Sequence, residues 1–515
     1  MLSLMQLGII SVLGWLAFKV LSIGKREANL PPGPPTIPVL GNIHLLPRKF
    51  MFVKFSEWAK EYGGIFSLKI ANSTMIVLSD MRAVKEILDD HSIETSSRPF
   101  FYALEAVTNG KFFLLASSDN ESWKVGRKLT QLFMTSQAAH SHARIAEQES
   151  IQLLHDILES PLDICQHFTR YTFSAITSLT FGRREPNHDS PKIREFADYI
   201  RNFTNTISPE AAPVDLIPIL KYIPERFAPW KRLWKVTQAQ QQALYYSLLE
   251  YTESKVRGGN GSGSFVETLL EKQAELKLSR DMIAYIAGVL MDGGTESTAT
   301  TLQSLILCLV KSPASYRKAQ EEIDRVVGNG RLPVASDINN LPYIQAILKE
   351  IQRLRPAGPT GIPHAATKNL QYGEYIIPKG VPIMINVWGI LNDPDLYERP
   401  DEFWPERYMI APDGTKPDIE KEYSIRASLP FGSGKRLCPG IHFANMNLNM
   451  ATMRFIWAFN LTAFDEQATS TDIWDFQEEY LGGVTFTPKP FQCKITPRSE
   501  ERKQMIMASY EASLN

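Results

Sequence analysis

The sequence predicts a mainly α-helical protein with a small β part. Apolar residues recur three and four positions apart, the period of an amphipathic helix, in five long segments. Residues with high β propensity concentrate in two short stretches, 66–78 and 376–385. The helical segments are 122–133, 145–158, 234–255, 280–310 and 315–327.

The two β stretches carry their own turn signals. The first reads as a hairpin around Ala71-Asn72-Ser73, and the second as strands broken at Pro378 and Pro382. A glycine-rich tract over 257–264 reads as a flexible surface loop, with a domain linker as the alternative. Because nothing else suggests a division, residues 39–515 are expected to form one catalytic domain.

The N-terminus is an uncharged apolar run from Met1 to Phe18 that is followed by Lys19. The run approaches the roughly 20 residues that cross a bilayer. It lacks the basic start and the small-residue cleavage site of a signal peptide, which is the alternative. We therefore predict a membrane anchor over residues 1–24. The positive charges of Lys25 and Arg26 predict that the body faces the cytosol.

Residues 25–38 are basic and rich in proline. Pro31-Pro-Gly-Pro-Pro35 favours a stiff, polyproline-like conformation because each proline ring fixes its own φ angle. We predict a hinge between the anchor and the body. A ligand for a proline-binding module is the other interpretation.

Composition excludes several classes of function. Lys and Arg total 55 against 56 Asp and Glu, a net charge of -1, so there is no basic excess for nucleic acid. The four cysteines are far apart and show no zinc-like spacing. We expect reduced thiols in a cytosol-facing protein. The four are Cys165, Cys308, Cys438 and Cys493.

The most informative stretch is Phe431-Gly-Ser-Gly-Lys-Arg-Leu-Cys438-Pro-Gly440. Thiolate-ligated haem iron requires a cysteine anion, a tight turn that brings backbone N–H groups to the sulfur, and a cation for the haem propionates. Gly434 and Gly440 permit the close approach, Arg436 can bind a propionate, and Phe431 can shield the sulfur. The alternative is a buried cysteine in a chance glycine turn.

This stretch resembles the haem-binding signature of the cytochromes P450, Phe-x-x-Gly-x-Arg-x-Cys-x-Gly, at every defined position. The resemblance implies the P450 fold around a buried haem b, iron protoporphyrin IX. Cys438 is then the iron ligand, and Phe431, Gly434, Arg436 and Gly440 belong to the cofactor site.

A second segment, Gly293-Gly-Thr-Glu296-Ser297-Thr298, places glycines, an acid and hydroxyls in an otherwise apolar helix. Ser and Thr can bond to backbone carbonyls there and open a groove for a small ligand. A helix-packing notch is the alternative. The segment resembles the oxygen-activation motif of the family, which implies catalytic proton delivery by Glu296 and Ser297. Ser297 replaces the more usual threonine, and its side-chain torsion is freer.

Three further elements match the family. Glu350-Ile-Gln-Arg353 and Pro405-Glu-Arg407 resemble the sequences that form a buried, structural ionic triad. Trp123-Lys-Val-Gly-Arg127 resembles the helix that meets a haem propionate, since its spacing places both side chains on one face. The resemblance also implies that His364 contacts the other propionate, and a solvent-facing histidine is the alternative.

Substrate contacts are expected from apolar stretches that have no haem role, although each could be ordinary core. Asp292 departs from the small or apolar residue that is usual at its place. It is expected to bind a polar or cationic group of the substrate, or to cap a backbone or water network. The predicted substrate residues are Phe112, Val289, Asp292, Gly293, Ile362 and Val484.

The resemblance implies a haem-thiolate monooxygenase that inserts one atom of O2 into a small lipophilic substrate, in fungal secondary metabolism. Electrons would come from an NADPH-cytochrome P450 reductase, with Lys124, Lys128 and Lys435 as its docking patch or merely a solvated face. The alternatives are a P450-fold isomerase or dehydratase that needs no external electrons, and a haem-binding sensor without turnover. The expected location is the endoplasmic reticulum membrane, with the lipid bilayer as partner.

Overall fold

The computed structural model describes residues 4–207, 213–215, 217–419, 428–464 and 476–514. Its α-helices are α1 Leu4–Ser22, α2 Met51–Tyr62, α3 Met81–Val84, α4 Ser92–Thr95, α5 Tyr102–Thr108, α6 Glu121–Phe133, α7 Ser136–Ser141, α8 Ala143–Glu159, α9 Ile164–Phe181, α10 Pro191–Ile207, α11 Pro229–Arg257, α12 Phe265–Glu271, α13 Gln273–Leu276, α14 Arg280–Lys311, α15 Pro313–Val326, α16 Pro342–Leu354, α17 Val387–Leu391, α18 Arg407–Ile410, α19 Ile441–Ala458, α20 Phe476–Glu479 and α21 Glu500–Leu514. Its strands are β1 Ile65–Ile70, β2 Ser73–Leu78, β3 His364–Ala365, β4 Leu370–Tyr372, β5 Tyr375–Ile377, β6 Pro382–Ile385, β7 Phe459–Ala463 and β8 Cys493–Pro497.

All five predicted helical segments are helical, as α6, α8, α11, α14 and α15. The prediction of a mainly α protein with a small β part is therefore confirmed. The glycine-rich tract forms the exposed connection between α11 and α12.

Helix α14 is the centre of the fold. It packs against α9, α11, α16 and α19, and most of its residues are buried. One apolar cluster joins it to α5, α9, α10 and α11, and a second joins it to α8, α16 and α19. Since apolar side chains surround it on most sides, polar residues of α14 must find partners inside the protein or at an internal site.

The β structure forms small sheets. Strands β1, β2, β6 and β3 make a four-stranded sheet in that order, and β4–β5 and β7–β8 are two-stranded ladders. The predicted hairpin is present, with Ile70 opposite Ser73. The break at Pro378 is also present, but Pro382 does not interrupt a strand. It is the first residue of β6, a place that tolerates proline's missing N–H.

The predicted hinge lies against the four-stranded sheet. Arg26 donates to the carbonyl oxygens of Gly33 and Pro34 at 2.8 and 2.9 Å. Ser67 of β1 donates its backbone N–H to Pro32 at 2.7 Å. These bonds fix the proline segment on the body, while its role as a hinge and the other domain boundaries stay predictions.

Helix α1 occupies most of the predicted anchor. Within the described ranges, no helix combines the length and the apolar character that crossing a bilayer requires. The predicted membrane-spanning anchor is therefore not supported.

Candidate functional site

Cys438 lies in the loop between a short 3-10 turn, Gly434–Arg436, and the start of α19. Its backbone N–H donates to the Phe431 carbonyl at 2.8 Å, which closes the loop around the sulfur. Arg127 of α6 donates to the Leu437 carbonyl at 2.6 Å. Burial raises the pKa of the Cys438 thiol, while a hydrogen bond from the Gly440 backbone and the nearby Arg127 charge lower it. The last two favour the thiolate that binds a metal.

Gly434 is required by the geometry of this loop. Its φ is +59°, and a Cβ built there would lie 2.1 Å from the Leu88 carbonyl oxygen. Its N–H and the Ser433 hydroxyl donate to Asp89 at 2.8 and 2.6 Å. Gly434 therefore allows the cysteine loop to approach the backbone of residues 88 and 89.

Replacing Gly434 with alanine is expected to destabilise the protein by two separate costs. The left-handed backbone costs an alanine about 1–2 kcal/mol, and overpacking against fixed backbone adds about 1–3 kcal/mol. Gly373 is a matched control, since its φ is +56° and nothing lies within 4 Å of a Cβ built there. Denaturant unfolding should show a larger loss for Gly434→Ala than for Gly373→Ala. Equal losses would contradict the close approach.

Two buried arginines, the half-buried Arg127 and a buried histidine gather beside the cysteine loop. Arg98 donates to the carbonyls of Ile362 and Pro363 at 2.8 and 2.6 Å. Arg436 donates to the carbonyls of Ser96 at 2.6 Å and Ala116 at 2.7 Å. Arg98 and Arg436 are each 8% exposed. Among the described residues, no carboxylate forms an ion pair with Arg98, Arg127 or Arg436.

This uncompensated positive charge is the strongest indication of a missing anion. The Nε atoms of Arg98 and Arg127 are buried without a hydrogen-bond partner. Burial first, and then Arg436 and Arg127, hold the pKa of Arg98 well below its ordinary value. Burial lowers the pKa of Arg436 to about 9. A dianionic group such as the two haem propionates would satisfy these donors and charges, so the residues present fit haem b.

Trp123 and Arg127 lie one turn apart on α6, as predicted. The guanidinium carbon of Arg436 lies 4.3 Å from the Trp123 ring centroid, a cation–π contact that connects this helix to the cysteine loop. His364 is buried in β3, and its Nδ1 lies 3.0 Å from the Thr95 carbonyl. Burial, together with the Arg98 charge, holds its pKa well below the ordinary value. A neutral histidine therefore stands in the arginine group, and the solvent-facing alternative is wrong.

Sequence reasoning missed Arg98. The signal available was a charged residue directly before Pro99 and the apolar run Phe100–Tyr102, where a solvated role is unusual. Its partners, the carbonyls of Ile362 and Pro363, are more than 260 positions away along the chain. Only the folded structure brings them together.

Helix α14 carries Glu296 and Ser297 near Gly293, which has free space beside it and is called the open position below. A Cβ built on Gly293 would meet only Leu114, at 3.9 Å, so there is free space beside this residue. The Ser297 hydroxyl donates to the Gly293 carbonyl at 2.9 Å, which is the predicted bond to the backbone. Burial raises the pKa of Glu296 to about 7. An acid with this pKa can both hold and release a proton near neutral pH.

Leu114 connects the two halves of the site. Its side chain is the neighbour of Gly293, and its carbonyl oxygen accepts from Arg436 at 3.3 Å. The open position on α14 and the cysteine loop are therefore joined through one residue. The structure brings the predicted catalytic and cofactor residues into one region.

Asp292 faces away from that open position. Its Oδ2 accepts hydrogen bonds from Tyr199 at 2.7 Å and from Tyr245, and Gln241 donates to Tyr199 at 2.8 Å. The carboxyl group thus belongs to an internal network of side chains, whereas the second expected role was to cap backbone or water. Nothing in the pattern around Tyr199 or Tyr245 predicted this, because it depends on how α10 and α11 cross α14. The substrate role of Asp292 stays a prediction.

The other predicted substrate residues have mixed positions. Val289 has no exposed surface and Phe112 is 6% exposed, with its ring stacked on Phe203, so their predicted substrate contacts gain no support. Gly293 is exposed beside the open position. Ile362 and Val484 are 43% and 44% exposed, and their contacts with substrate stay predictions.

The predicted ionic triad is present and buried. One carboxylate oxygen of Glu350 accepts hydrogen bonds from Nε of Arg353 at 2.9 Å and from Nε of Arg407 at 3.0 Å. Its other oxygen accepts Nη2 of Arg353 at 3.0 Å and the Trp404 backbone N–H at 2.9 Å. None of the three side chains is more than 2% exposed. The arrangement ties α16 to the segment that begins α18.

Comparisons with known proteins agree with this site. The family model described as "Cytochrome P450" matches residues 31–495. A cytochrome P450 monooxygenase of Armillaria gallica is 39% identical over 492 residues, which cover 95% of this chain and 93% of the relative. One from Arthrobotrys oligospora is 37% identical, covering 96% of this chain and 94% of the relative. One from Aspergillus terreus is 34% identical, with 96% and 93% covered.

A solved structure supports the fold independently. A zebrafish cytochrome P450 determined with abiraterone superposes with a TM-score of 0.70 at 24% sequence identity. The match covers 87% of this chain and all of the zebrafish chain. At this identity the likeness is one of fold.

Proposed function

Because this chain belongs to the cytochrome P450 family, we propose that it is a haem-thiolate monooxygenase that inserts one oxygen atom from O2 into a small lipophilic organic molecule. Haem b is its cofactor. The observation that carries the proposal is the Cys438 loop beside three arginines, two of them buried, that have no carboxylate partner among the described residues. Leu114 joins this loop to the acid and hydroxyl of α14.

The residues divide the work of holding the cofactor. Cys438 would bind the iron through its sulfur, and Arg98, Arg127 and Arg436 would hold the propionates. When bound, haem supplies the activation of dioxygen that no amino-acid side chain can perform. Gly440 lies beside the sulfur, which is 3.9 Å from a Cβ built at that residue, and Phe431 accepts from the Cys438 N–H. Phe431 would shield the thiolate, which would donate electron density to the iron.

The residues of α14 would transfer protons and leave room for the substrate. Glu296 would hold a proton near neutral pH, in keeping with its raised pKa. The Ser297 hydroxyl is held at Gly293, and its lone pairs remain free to accept another hydrogen bond. Gly293 leaves room for a small molecule next to both groups.

The substrate class is proposed from two considerations. Leu114, which is the neighbour of the open position, packs in one apolar cluster with Leu290 and Met291 of α14, and this favours a lipophilic substrate bound mainly by burial of surface. The fungal relatives at 34–39% identity are named cytochrome P450 monooxygenases, which supports an oxidation. A secondary metabolite is the proposed substrate.

Reconstitution tests the function directly. Purified, haem-loaded protein combined with an NADPH-cytochrome P450 reductase should convert a substrate only when NADPH and O2 are both supplied. Turnover without either would instead indicate an isomerase or dehydratase. A spin-state change on substrate binding without any turnover would indicate a sensor.

The reductase is the proposed electron donor, and Lys124, Lys128 and Lys435 are its proposed docking patch. All three are exposed on α6 or the cysteine loop. We predict that Lys435→Glu raises the reductase concentration for half-maximal NADPH consumption roughly twofold to tenfold, because it reverses a charge at the rim of the contact. Lys503→Glu on α21 is the control, with the same change of charge. Equal effects of the two variants would argue for a solvated face.

The proposed location is the endoplasmic reticulum membrane, with the catalytic domain facing the cytosol and the lipid bilayer as partner. Support comes from α1, where Trp15 is 59% and Phe18 is 69% exposed and Lys25 follows. An exposed apolar surface flanked by positive charge suits an anionic lipid surface. Cell fractionation should find the protein with microsomes, and recovery in the soluble fraction would contradict the proposal.

A further inference from the structure

A buried polar network stands behind the open position of α14. It consists of Asp292, Tyr199 of α10, and Gln241 and Tyr245 of α11. Tyr199, Tyr245 and Gln241 have no exposed surface, and Asp292 is 7% exposed. Gly288 makes the crossing possible, because a Cβ there would lie 2.5 Å from the Tyr245 ring.

The network is arranged around one carboxylate oxygen. Tyr199 and Tyr245 both donate to Oδ2 of Asp292, and their hydroxyls lie 3.3 Å apart. The pKa values of both tyrosines are well above the ordinary value, mainly through burial, so both remain donors at neutral pH. Two O–H donors on one oxygen stabilise the ionised form of Asp292.

Asp292 has a second acid as its neighbour. Glu296 lies one helical turn further along α14, which places both side chains on the same side of the helix. Burial raises the pKa of Asp292 to about 7, the hydrogen bonds from Tyr245 and Tyr199 lower it, and the negative charge of Glu296 raises it further. Asp292 is buried and Glu296 is half-buried, so ionising both of these neighbouring carboxyl groups carries a cost in free energy.

No other charge relieves the pair. Among the described residues, neither Asp292 nor Glu296 forms an ion pair with a side chain of α9, α12, α16, α19 or residues 113–115. The side chains nearest to the α14 glycines between the two acids are apolar, Leu114 at Gly293 and Ile176 of α9 at Gly294. The pair must therefore retain one proton at neutral pH.

The hydrogen bonds decide which acid retains it. Asp292 has two O–H donors, whereas within the described structure no donor lies within hydrogen-bonding distance of the Glu296 carboxyl. We propose that Asp292, held as an anion by Tyr199 and Tyr245, is a positioning residue that keeps Glu296 protonated and ready to deliver its proton. The inference rests on the proposed function, since it gives Glu296 a reaction to serve.

Infrared spectroscopy of the full-length, haem-loaded ferric protein tests the proposal without turnover. Spectra between about pH 5 and pH 9 would follow the C=O band of a protonated carboxyl group, and its loss in Glu296→Gln would assign it. In Asp292→Asn, which keeps an oxygen that can accept from the tyrosines, the midpoint of the Glu296 band should fall by about one pH unit or more. That corresponds to a tenfold loss of proton affinity.

Tyr245→Phe is the second variant, in case Asp292→Asn does not fold. It removes one donor from the Asp292 carboxylate and leaves both acids in place. The proton should then shift partly to Asp292, so the Glu296 midpoint should fall by a smaller amount. Phe265→Leu on α12, in the same apolar cluster but outside both the network and the predicted substrate contacts, should leave the midpoint unchanged.

A functional measurement complements the spectra. The hydrogen peroxide released per NADPH consumed, measured with reductase across the same pH range, reports protons that fail to reach the oxygen site. This ratio of peroxide to NADPH should rise at alkaline pH, and in Asp292→Asn the rise should begin about one pH unit lower than in the parent protein.

Two results would overturn the inference. One is a Glu296 midpoint that is unchanged in both Asp292→Asn and Tyr245→Phe, which would make the network merely structural. The other is a carboxyl band that disappears in Asp292→Asn but survives in Glu296→Gln, which would place the proton on Asp292. Failure of the proposed function would show differently, as a lack of NADPH- and O2-dependent turnover.

Discussion

Replacing Glu350 with alanine is expected to destabilise the protein by about 3–5 kcal/mol and to prevent stable haem incorporation. The carboxylate is the common partner of Arg353 and Arg407, and all three side chains are buried. Without it, two guanidinium groups remain inside the protein with only uncharged acceptors, such as the Leu391 carbonyl at 2.8 Å and the Asn392 side-chain oxygen at 3.5 Å from Arg353. Water cannot replace the lost charge without opening the contact between α16 and α18.

The measurement is denaturant unfolding, together with the ratio of haem to protein after purification. Glu57→Ala is the matched control, because Glu57 pairs with Lys54 at 2.6 Å but its side chain is 57% exposed. Exposed pairs contribute little, so this variant should stay within about 0.5 kcal/mol of the parent protein. If Glu350→Ala unfolded at the same denaturant concentration as the Glu57→Ala control, the buried triad would not be structural.

The sequence alone was sufficient for the parts of the fold that local patterns encode. The five periodic segments are helices, and the Ala71-Asn72-Ser73 turn joins β1 to β2. Pro382 shows where such reasoning fails, since the same residue that breaks a strand interior is tolerated at its first position. The anchor shows a second limit. An apolar run indicates a buried or membrane environment, but composition alone does not distinguish between them.

The residues of the candidate site fall into the same two groups, those that local motifs predict and those that only the folded structure places. Cys438, Arg436 and the Glu350 triad belong to short motifs whose spacing carries their chemistry. In the structure Arg436 is bound next to the cysteine loop, and Glu350 pairs with Arg353, as expected. Arg98 could not be placed, because its bonds to residues 362 and 363 depend on the distant end of the chain. Asp292 could be recognised as unusual, but its partners are set by the crossing of three helices. Motifs therefore gave the reacting groups, and tertiary structure gave the groups that control their charge.

Replacing Cys438 with serine is expected to abolish the red-shifted absorption that the reduced, carbon monoxide-bound protein shows with a thiolate ligand, and to reduce turnover to the background. A serine hydroxyl keeps its proton at neutral pH and cannot supply the anionic sulfur that the iron requires. Haem should still bind in part, because Arg98, Arg127 and Arg436 are unchanged. Difference spectroscopy of the reduced protein with and without carbon monoxide is the measurement.

Cys165→Ser provides the control that makes this result specific. Cys165 is also half-buried, but it lies at the start of α9 and belongs to the other side of the α14 packing. Burial raises the pKa of its thiol more than a hydrogen bond from the Phe491 backbone lowers it, and no cation contributes as Arg127 does at Cys438. The Cys165→Ser protein should keep the red-shifted band and its turnover. If Cys438→Ser keeps the band while haem-loaded, the thiolate that binds the iron is another cysteine, and the Cys438 loop is not the iron site.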